Sequence, residues 1–254
     1  MARTFSAFSN ENAVVDASFI TANPWTMWCK FKAGSGVGYH TLLFYGLAGQ
    51  TTIYEQLLIY KGAGGVLKVY AEHLGTSFTD DVNVCDNAWH TAMVAEYSSG
   101  GMQYAELWLD GALRGATTGT SSPSYVADFD RFAVGRKMHA SPTEALTGTV
   151  AAVGLAALRP SADQAVALHR GLPGRRVFGK DLKGDWPLWG LHSPEIDLTG
   201  SGNNLTLSGT TLANHAPVTL FTPKWAASMP VIHIGGPPPT RHVYVGDVLI
   251  RVPA

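Results

Sequence analysis

The stretch "NAWHTAMVAEYSSGGMQYAELWLDG", residues 87–111, decides the fold. Strand-forming residues lie on both sides of "SSGG", a pattern typical of two β-strands joined by a tight turn. The second strand ends in Asp110-Gly111, and Asp-Gly is typical of a hairpin turn because both residues tolerate a positive φ. The segment therefore predicts a run of antiparallel strands.

Strand-like segments continue along most of the 254 residues, and 28 glycines supply turns between them. In "WTMWCKFK", Trp25, Met27, Cys29 and Phe31 alternate with polar residues, which predicts a strand with one face in a core. The alanine-rich "LTGTVAAVGLAALR" predicts a tightly packed central strand. The pattern predicts an all-β protein, an antiparallel β-sandwich.

One segment predicts a helix. In "SADQAVALHRG", Ser161 is a suitable N-cap, Gln164 completes a capping box and Gly171 supplies the C-terminal stop. We expect Ala165 and Leu168, and with them Ala162, to face the core.

Composition limits the classes of function. The net charge is −1 and no long basic run occurs, which argues against nucleic acid as a partner. The basic segment "GRRVFGKDLKG", residues 174–184, is interpreted as a solvated loop. No apolar run is long enough for a membrane span, and the first ten residues do not resemble a signal peptide. We expect the protein to be made and folded in a cytoplasm.

The two cysteines, Cys29 and Cys85, lie in strand-like contexts. A disulfide-stapled secreted domain usually has more cysteines, so buried free thiols are favoured over a disulfide. The sequence leaves their pairing open.

The order of features over residues 89–171 resembles laminin-G-like, concanavalin-A-like jelly-roll domains. The features are Trp89-His90, Asp110-Gly111, Val134-Gly135, Leu146–Val150 and Ser161–Ala165, followed by a similar stretch at Asp185–Thr210. The resemblance covers about residues 1–220 and implies a jelly-roll sandwich over residues 1–221. That fold carries lectins, glycosidases and structural modules, so it does not decide function.

Residues 222–254 differ in composition and predict a proline-rich β-arm. Consecutive prolines cannot donate the hydrogen bonds of a central strand, yet "VYVGDVLIRV" is too apolar for a typical disordered tail. We expect an extended arm that pairs with neighbouring subunits. The residues assigned to assembly are Val231, Ile232, Pro237, Pro238, Pro239, Val243, Tyr244, Val245, Leu249 and Ile250.

Catalytic groups are not evident. A glycosidase needs two carboxyl groups that face one cleft, and glucanases with the resembled fold place them on one strand. The candidates Glu72, Glu96, Glu106 and Asp110 form no E-x-D-x-E pattern, and turn chemistry accounts for Asp110. We predict a protein that is not an enzyme, with no catalytic or cofactor-binding residue; glycoside hydrolysis is the least favoured alternative.

Two binding functions remain open. The resembled lectins often hold Ca²⁺ on oxygen-rich loops, and the candidate ligands here are Asp80, Asp81, Asp86, Asp128 and Asp130. Exposed aromatic rings stack on sugars. The candidates for glycan contact are Trp28, Trp108 and Trp189, with Tyr39, Tyr45, Tyr54 and Tyr60 as further aromatic residues of interest.

The sandwich, the arm and the lack of catalytic groups resemble structural proteins of tailed bacteriophages. The predicted function is a virion component, such as a capsid decoration, head-fibre or tail-associated module. It would sit on the virion surface, contact other virion proteins and itself, and form an oligomer, with a trimer favoured. The alternative is a carbohydrate-binding module for host-surface glycans, either with or without Ca²⁺.

Overall fold

The computed structural model describes residues 2–6, 11–34, 38–60, 64–119, 125–140, 142–189, 193–214, 216, 241–245 and 248–252. The chain forms two compact units, Met1–Pro217 and Val218–Ala254. The first unit is a sandwich of two antiparallel sheets, which confirms the predicted all-β class.

The first sheet has eight strands. In spatial order they are β10 (Ala112–Gly119), β9 (Met102–Leu109), β8 (Trp89–Ser99), β3 (Trp25–Lys32), β12 (Gly148–Ala156), β1 (Ala2–Phe5) and β15 (Thr211–Ala213), with β13 (Leu182–Trp186) also paired to β12. The predicted alanine-rich central strand is β12, which pairs with β3, β1 and β13. Its small side chains suit a central strand whose two faces are both covered, one by the second sheet and the other by the helices described below.

The second sheet has seven strands. In spatial order they are β14 (Thr206–Ser208), β2 (Asn12–Asp16), β11 (Arg131–Val134), β4 (Tyr39–Gly46), β5 (Tyr54–Tyr60), β6 (Val66–Ala71) and β7 (Thr76–Asn83). Leu57 and Ile59 of β5 point into the sandwich, where they meet inward residues of the first sheet such as Met27 and Val94. The main core therefore fills the space between the two sheets.

The opening stretch folds as two consecutive hairpins. Strands β8 and β9 meet at Gly100-Gly101, and β9 and β10 meet at Asp110-Gly111. All four turn residues have positive φ, which is the geometry of the two-residue turns that match strand twist. The Asp110 carboxylate also accepts from the Thr91 backbone N–H at 2.8 Å. The predicted turns are confirmed.

Two short helices cover the outer face of the eight-stranded sheet. Helix α1 (Ala162–His169) has the predicted capping box, with Ala165 and Leu168 buried. The expectation that Ala162 faces the core is wrong, because this residue is exposed in the first turn of the helix. Helix α2 (Gly174–Phe178) lies within the basic segment that the sequence analysis interpreted as a loop, and Phe178 is buried against the sheet. That interpretation is wrong. Phe178 packs on the sheet and Gly174 approaches it closely, and these contacts, rather than local periodicity, stabilise the five-residue helix.

The second unit contains one described feature, a hairpin of β16 (Arg241–Val245) and β17 (Val248–Val252), in which Val243 pairs with Ile250 and Tyr244 with Leu249. The other assembly residues predicted from the sequence, Val231, Ile232 and Pro237–Pro239, lie outside the described residues. No helix in the described ranges has both the length and the apolar character of a membrane span.

Candidate functional site

The three tryptophans predicted to contact glycans lie in different environments. Trp28 and Trp108 are buried beneath the two helices, at 3% and 6% exposure. A sugar ring has no access to either indole in this arrangement, because side chains from α1 and α2 cover them. Trp189, which follows β13 along the chain, is 52% exposed.

The five aspartates predicted as Ca²⁺ ligands do not converge. Arg114 binds both Asp80 and Asp81, with its Nε 3.0 Å from Asp80 Oδ1. Asp86 accepts from the Ala88 N–H, and Asp130 from the Ala48 N–H. Within the described ranges, none of these carboxylates, nor Asp128, belongs to a group of three possible metal ligands.

The carboxylates considered for glycoside hydrolysis have other partners. Glu106 receives two hydrogen bonds from the Arg159 guanidinium, at 2.6 and 3.0 Å. Asp110 lies 2.8 Å from His90 Nδ1 at the hairpin turn. This hydrogen bond to Asp110 raises the pKa of His90 despite partial burial. The motif residues His90 and Asp110 thus connect the start of β8 to the end of β9.

The cysteines are free thiols, with Cys29 buried in the core and Cys85 partly exposed. Burial raises the pKa of the Cys29 thiol strongly, so it stays protonated. Cys29 is therefore a core residue, as predicted.

A concave region on the outer face of the seven-stranded sheet forms a cavity of about 210 Å³. We call it the tyrosine pocket. Its lining residues are Tyr39, Tyr54, Gln56, Leu58, Lys68, Tyr70, Lys137 and Glu144. The even-numbered residues of β5 point into it because the odd-numbered residues of that strand face the core.

Aromatic rings form the walls of the tyrosine pocket. Tyr39 stacks on Tyr60 with ring centroids 4.9 Å apart, and Tyr54 stacks on Tyr70 at 6.3 Å. Tyr39 keeps 46% of its surface exposed. The sequence analysis named Tyr39, Tyr54 and Tyr60 but missed Tyr70, whose place on β6 becomes evident only from the pairing of β5 with β6.

Two lysines and one glutamate add charge to the pocket. The Lys68 ammonium lies 5.2 Å from the Tyr70 ring centroid and 5.7 Å from that of Tyr60. Lys137 lies 4.5 Å from the Tyr54 ring centroid and 3.7 Å from the Glu144 carboxylate. These contacts combine cation–π attraction with an ion pair.

Glu144 is held in an unusual conformation. Its φ is +55°, a value that few residues other than glycine adopt. The Gln56 side-chain amide donates to its carboxylate at 2.6 Å, and its carbonyl accepts from the Thr41 N–H at 2.9 Å. Such strain persists when surrounding contacts fix it, and it is common at binding sites.

The hydroxyls of the pocket stay protonated over a wide pH range. A hydrogen bond between Tyr39 and Tyr60 raises the pKa of Tyr39, and burial raises the pKa of Tyr54. A hydrogen bond to Glu72 raises the pKa of Tyr70. The pocket therefore offers neutral phenol groups, an amide, a carboxylate and two cations to a ligand.

Solved structures with a similar fold include a putative carbohydrate-binding protein from Bacteroides ovatus. It is 16% identical, with a TM-score of 0.62, over 86% of this chain and 61% of that protein. A SAP-like pentraxin from Limulus polyphemus is 8% identical, with a TM-score of 0.54, over 66% of this chain and 81% of its own.

A third similar structure is the CBM40 domain of a Ruminococcus gnavus sialidase. It is 14% identical, with a TM-score of 0.51, over 66% of this chain and 98% of its own. At these identities the likeness shows the jelly-roll fold alone. No protein-family model and no curated protein sequence matches the chain.

Proposed function

We propose that the first unit is a carbohydrate-binding, lectin-like module and that the tyrosine pocket holds the glycan. The observation that carries this proposal is the juxtaposition, on one open sheet face, of the exposed Tyr39 ring with the polar groups of Gln56, Lys68 and Glu144. Small-ligand sites typically combine apolar walls with a few convergent polar groups.

Sugars suit this chemistry. The apolar face of a pyranose ring packs on an aromatic ring such as Tyr39, while its hydroxyls need both donors and acceptors at the rim. Gln56 and the lysines donate, and Glu144 accepts. Lys68 has no carboxylate within 4 Å among the described residues, so it also favours a glycan that carries an acidic group.

The similar structures support the same proposal. The Bacteroides ovatus protein is titled a putative carbohydrate-binding protein, and the Ruminococcus gnavus domain has been solved bound to α2,3-sialyllactose. A glycan function at this pocket accounts for its polar lining, which a purely structural sheet face does not require. The phage virion role, the virion-surface location and the trimer stay predictions, which the structure and these comparisons leave open.

A glycan array tests the proposal. We expect the full chain to bind a defined set of glycans, and Tyr39→Ala to weaken that binding at least tenfold. Tyr104→Ala is the matched control, since Tyr104 stacks on Tyr97 at 5.0 Å on the opposite sheet. A blank array, or equal loss in both variants, would contradict the proposal.

The same array, repeated with chelator, tests Ca²⁺ dependence. If binding disappears with EDTA and returns with added Ca²⁺, the glycan is held through a calcium ion as in the calcium-dependent alternative. Because the pocket offers its own donors and acceptors, we expect binding to persist with EDTA.

A further inference from the structure

A second polar group lies inside the sandwich, where the sequence predicted only core. Glu55 of β5 and Glu96 of β8 point inward from opposite sheets, and His73 joins them from a 3₁₀ turn at Glu72–Leu74. All three side chains have 0% exposure. Their possible ligand atoms all lie within 4.8 Å of one another, and they are the one such group in the described part of the chain.

Several atoms of this group make no hydrogen bond to any residue outside the group. They are both carboxylate oxygens of Glu55, Nε2 of His73 and Oε2 of Glu96. His73 Nε2 lies 2.8 Å from Glu96 Oε2, and His73 Nδ1 lies 3.8 Å from Glu55 Oε2. Buried polar atoms are nearly always hydrogen-bonded because desolvation is costly. Buried carboxylate and imidazole atoms that converge from three elements and face only one another therefore point to a ligand.

The remaining atoms of the group are fixed by neighbours. His73 Nδ1 lies 3.1 Å from the Tyr54 carbonyl, which only accepts, so this nitrogen donates, and Nε2 is the atom that faces Glu96. The Asn23 amide donates to Glu96 Oε1 at 2.9 Å. A backbone carbonyl behind a histidine, and a donor behind a carboxylate, are the outer contacts that orient metal ligands.

We infer that Glu55, His73 and Glu96 bind a divalent metal ion, and that Zn²⁺ is the ion that fits. Ca²⁺ and Mg²⁺ prefer all-oxygen surroundings, whereas Zn²⁺ accepts histidine nitrogen together with carboxylate oxygen. A divalent cation also neutralises two carboxylates that would otherwise repel each other without solvent.

The ion would join the two sheets. Its ligands come from β5, from the turn after β6 and from β8, so binding requires the folded sandwich. A ligand that binds only the folded state stabilises it, and the stabilisation grows with the logarithm of the ligand concentration above Kd. At a Zn²⁺ concentration about 100-fold above Kd, we expect the midpoint of thermal unfolding to rise by roughly 5–10 °C.

The experiment uses the untagged full chain, stripped with chelator and dialysed. We expect added ZnCl₂ to leave about one zinc per chain after gel filtration, measured by atomic emission, with the rise in unfolding temperature. Co²⁺ in place of Zn²⁺ would give a visible ligand-field absorption. No retained zinc and no thermal shift, or an equal shift with Ca²⁺, would overturn the assignment.

Variants locate the site. Glu55→Gln and Glu96→Gln keep side-chain size but remove a charged ligand, and each should lose at least tenfold in zinc affinity and the Co²⁺ absorption. Glu195→Gln is the matched control, because Glu195 is also buried and binds Arg3 at 3.0 Å outside the group. Circular dichroism verifies that each variant folds. Retention of zinc by the double variant Glu55→Gln/Glu96→Gln would place the ion elsewhere and overturn the assignment.

Discussion

At the scale of single residues, the molecule places several carboxylates where water is scarce. Asp185 of β13 is 4% exposed and lies close to helix α2. Burial raises its pKa to about 6, although the Arg175 charge opposes this and Asp197 adds to it. Burial therefore makes the Asp185 carboxyl costly to ionise.

Asp185→Asn should stabilise the protein at neutral pH. The folded pKa of about 6 exceeds the ordinary value of 3.8. The contribution of Asp185 to the free energy of unfolding is therefore fully present below pH 4 and is lost as pH rises through 6. The amide resembles the protonated acid. Since one pKa unit corresponds to about 1.4 kcal/mol, we expect a gain of about 3 kcal/mol at pH 8 and almost none at pH 4.

Urea unfolding at pH 4 and pH 8 measures this difference. Asp128→Asn serves as the control, because that side chain is exposed and should change stability by less than about 0.5 kcal/mol at either pH. An effect of Asp185→Asn that is the same at both pH values would mean that ionisation is not its cause.

At the scale of elements, the hairpins of residues 87–111 support the helical cover of the sheet. A Cβ at Gly111 would lie 3.0 Å from Val166 Cα and 3.2 Å from its Cγ2, both in α1. Gly101, in the preceding turn, has a similar positive φ but has no atom within 4 Å of such a Cβ. The two turns are thus alike in backbone and differ in what lies above them.

Gly111→Ala should therefore destabilise more than Gly101→Ala. Each substitution costs about 1–2 kcal/mol for the left-handed backbone. Gly111→Ala adds about 1–3 kcal/mol, because α1 must move away from the sheet. The check is urea unfolding of both variants. Equal losses would show that α1 yields freely, and would contradict the close contact of turn and helix.

Local turn chemistry explains why these hairpins could be predicted. Gly100-Gly101 and Asp110-Gly111 carry their conformational preference in their own residues. Helix α2 could not be predicted in this way, since its five residues have no side-chain cap and depend on Phe178 packing beneath them. The same contrast separates the capped α1 from α2.

The candidate sites depend on residues that are distant in sequence. Lys68, Tyr70 and Glu144 join the tyrosine pocket only because β5, β6 and the segment after β11 meet. The buried group has a signal on two strands: Glu55 shares its strand face with Leu57 and Ile59, and Glu96 shares its face with Val94, so charged residues fall at core positions. The position of His73 follows no pattern, because a turn places it.

At the scale of the whole molecule, the sandwich and the C-terminal hairpin are separate compact units. An isolated two-stranded hairpin is at best marginally stable in water, and the outer edges of such a hairpin carry unpaired backbone groups. The sequences of β16 and β17 are rich in apolar residues such as Val243, Leu249 and Ile250. This composition is the physical reason for expecting the arm to pair with another chain by strand addition.

Truncation after Pro217 tests that expectation. We expect the shortened chain to keep the unfolding temperature and glycan binding of the sandwich, because its core lies within residues 2–216. We expect its mass in light scattering to fall to that of a monomer, while the full chain forms an oligomer. Val243→Pro in the full chain is the control, since it keeps the length but removes a ladder hydrogen bond between β16 and β17. If truncated and full chains have the same oligomeric state, the arm does not assemble the protein.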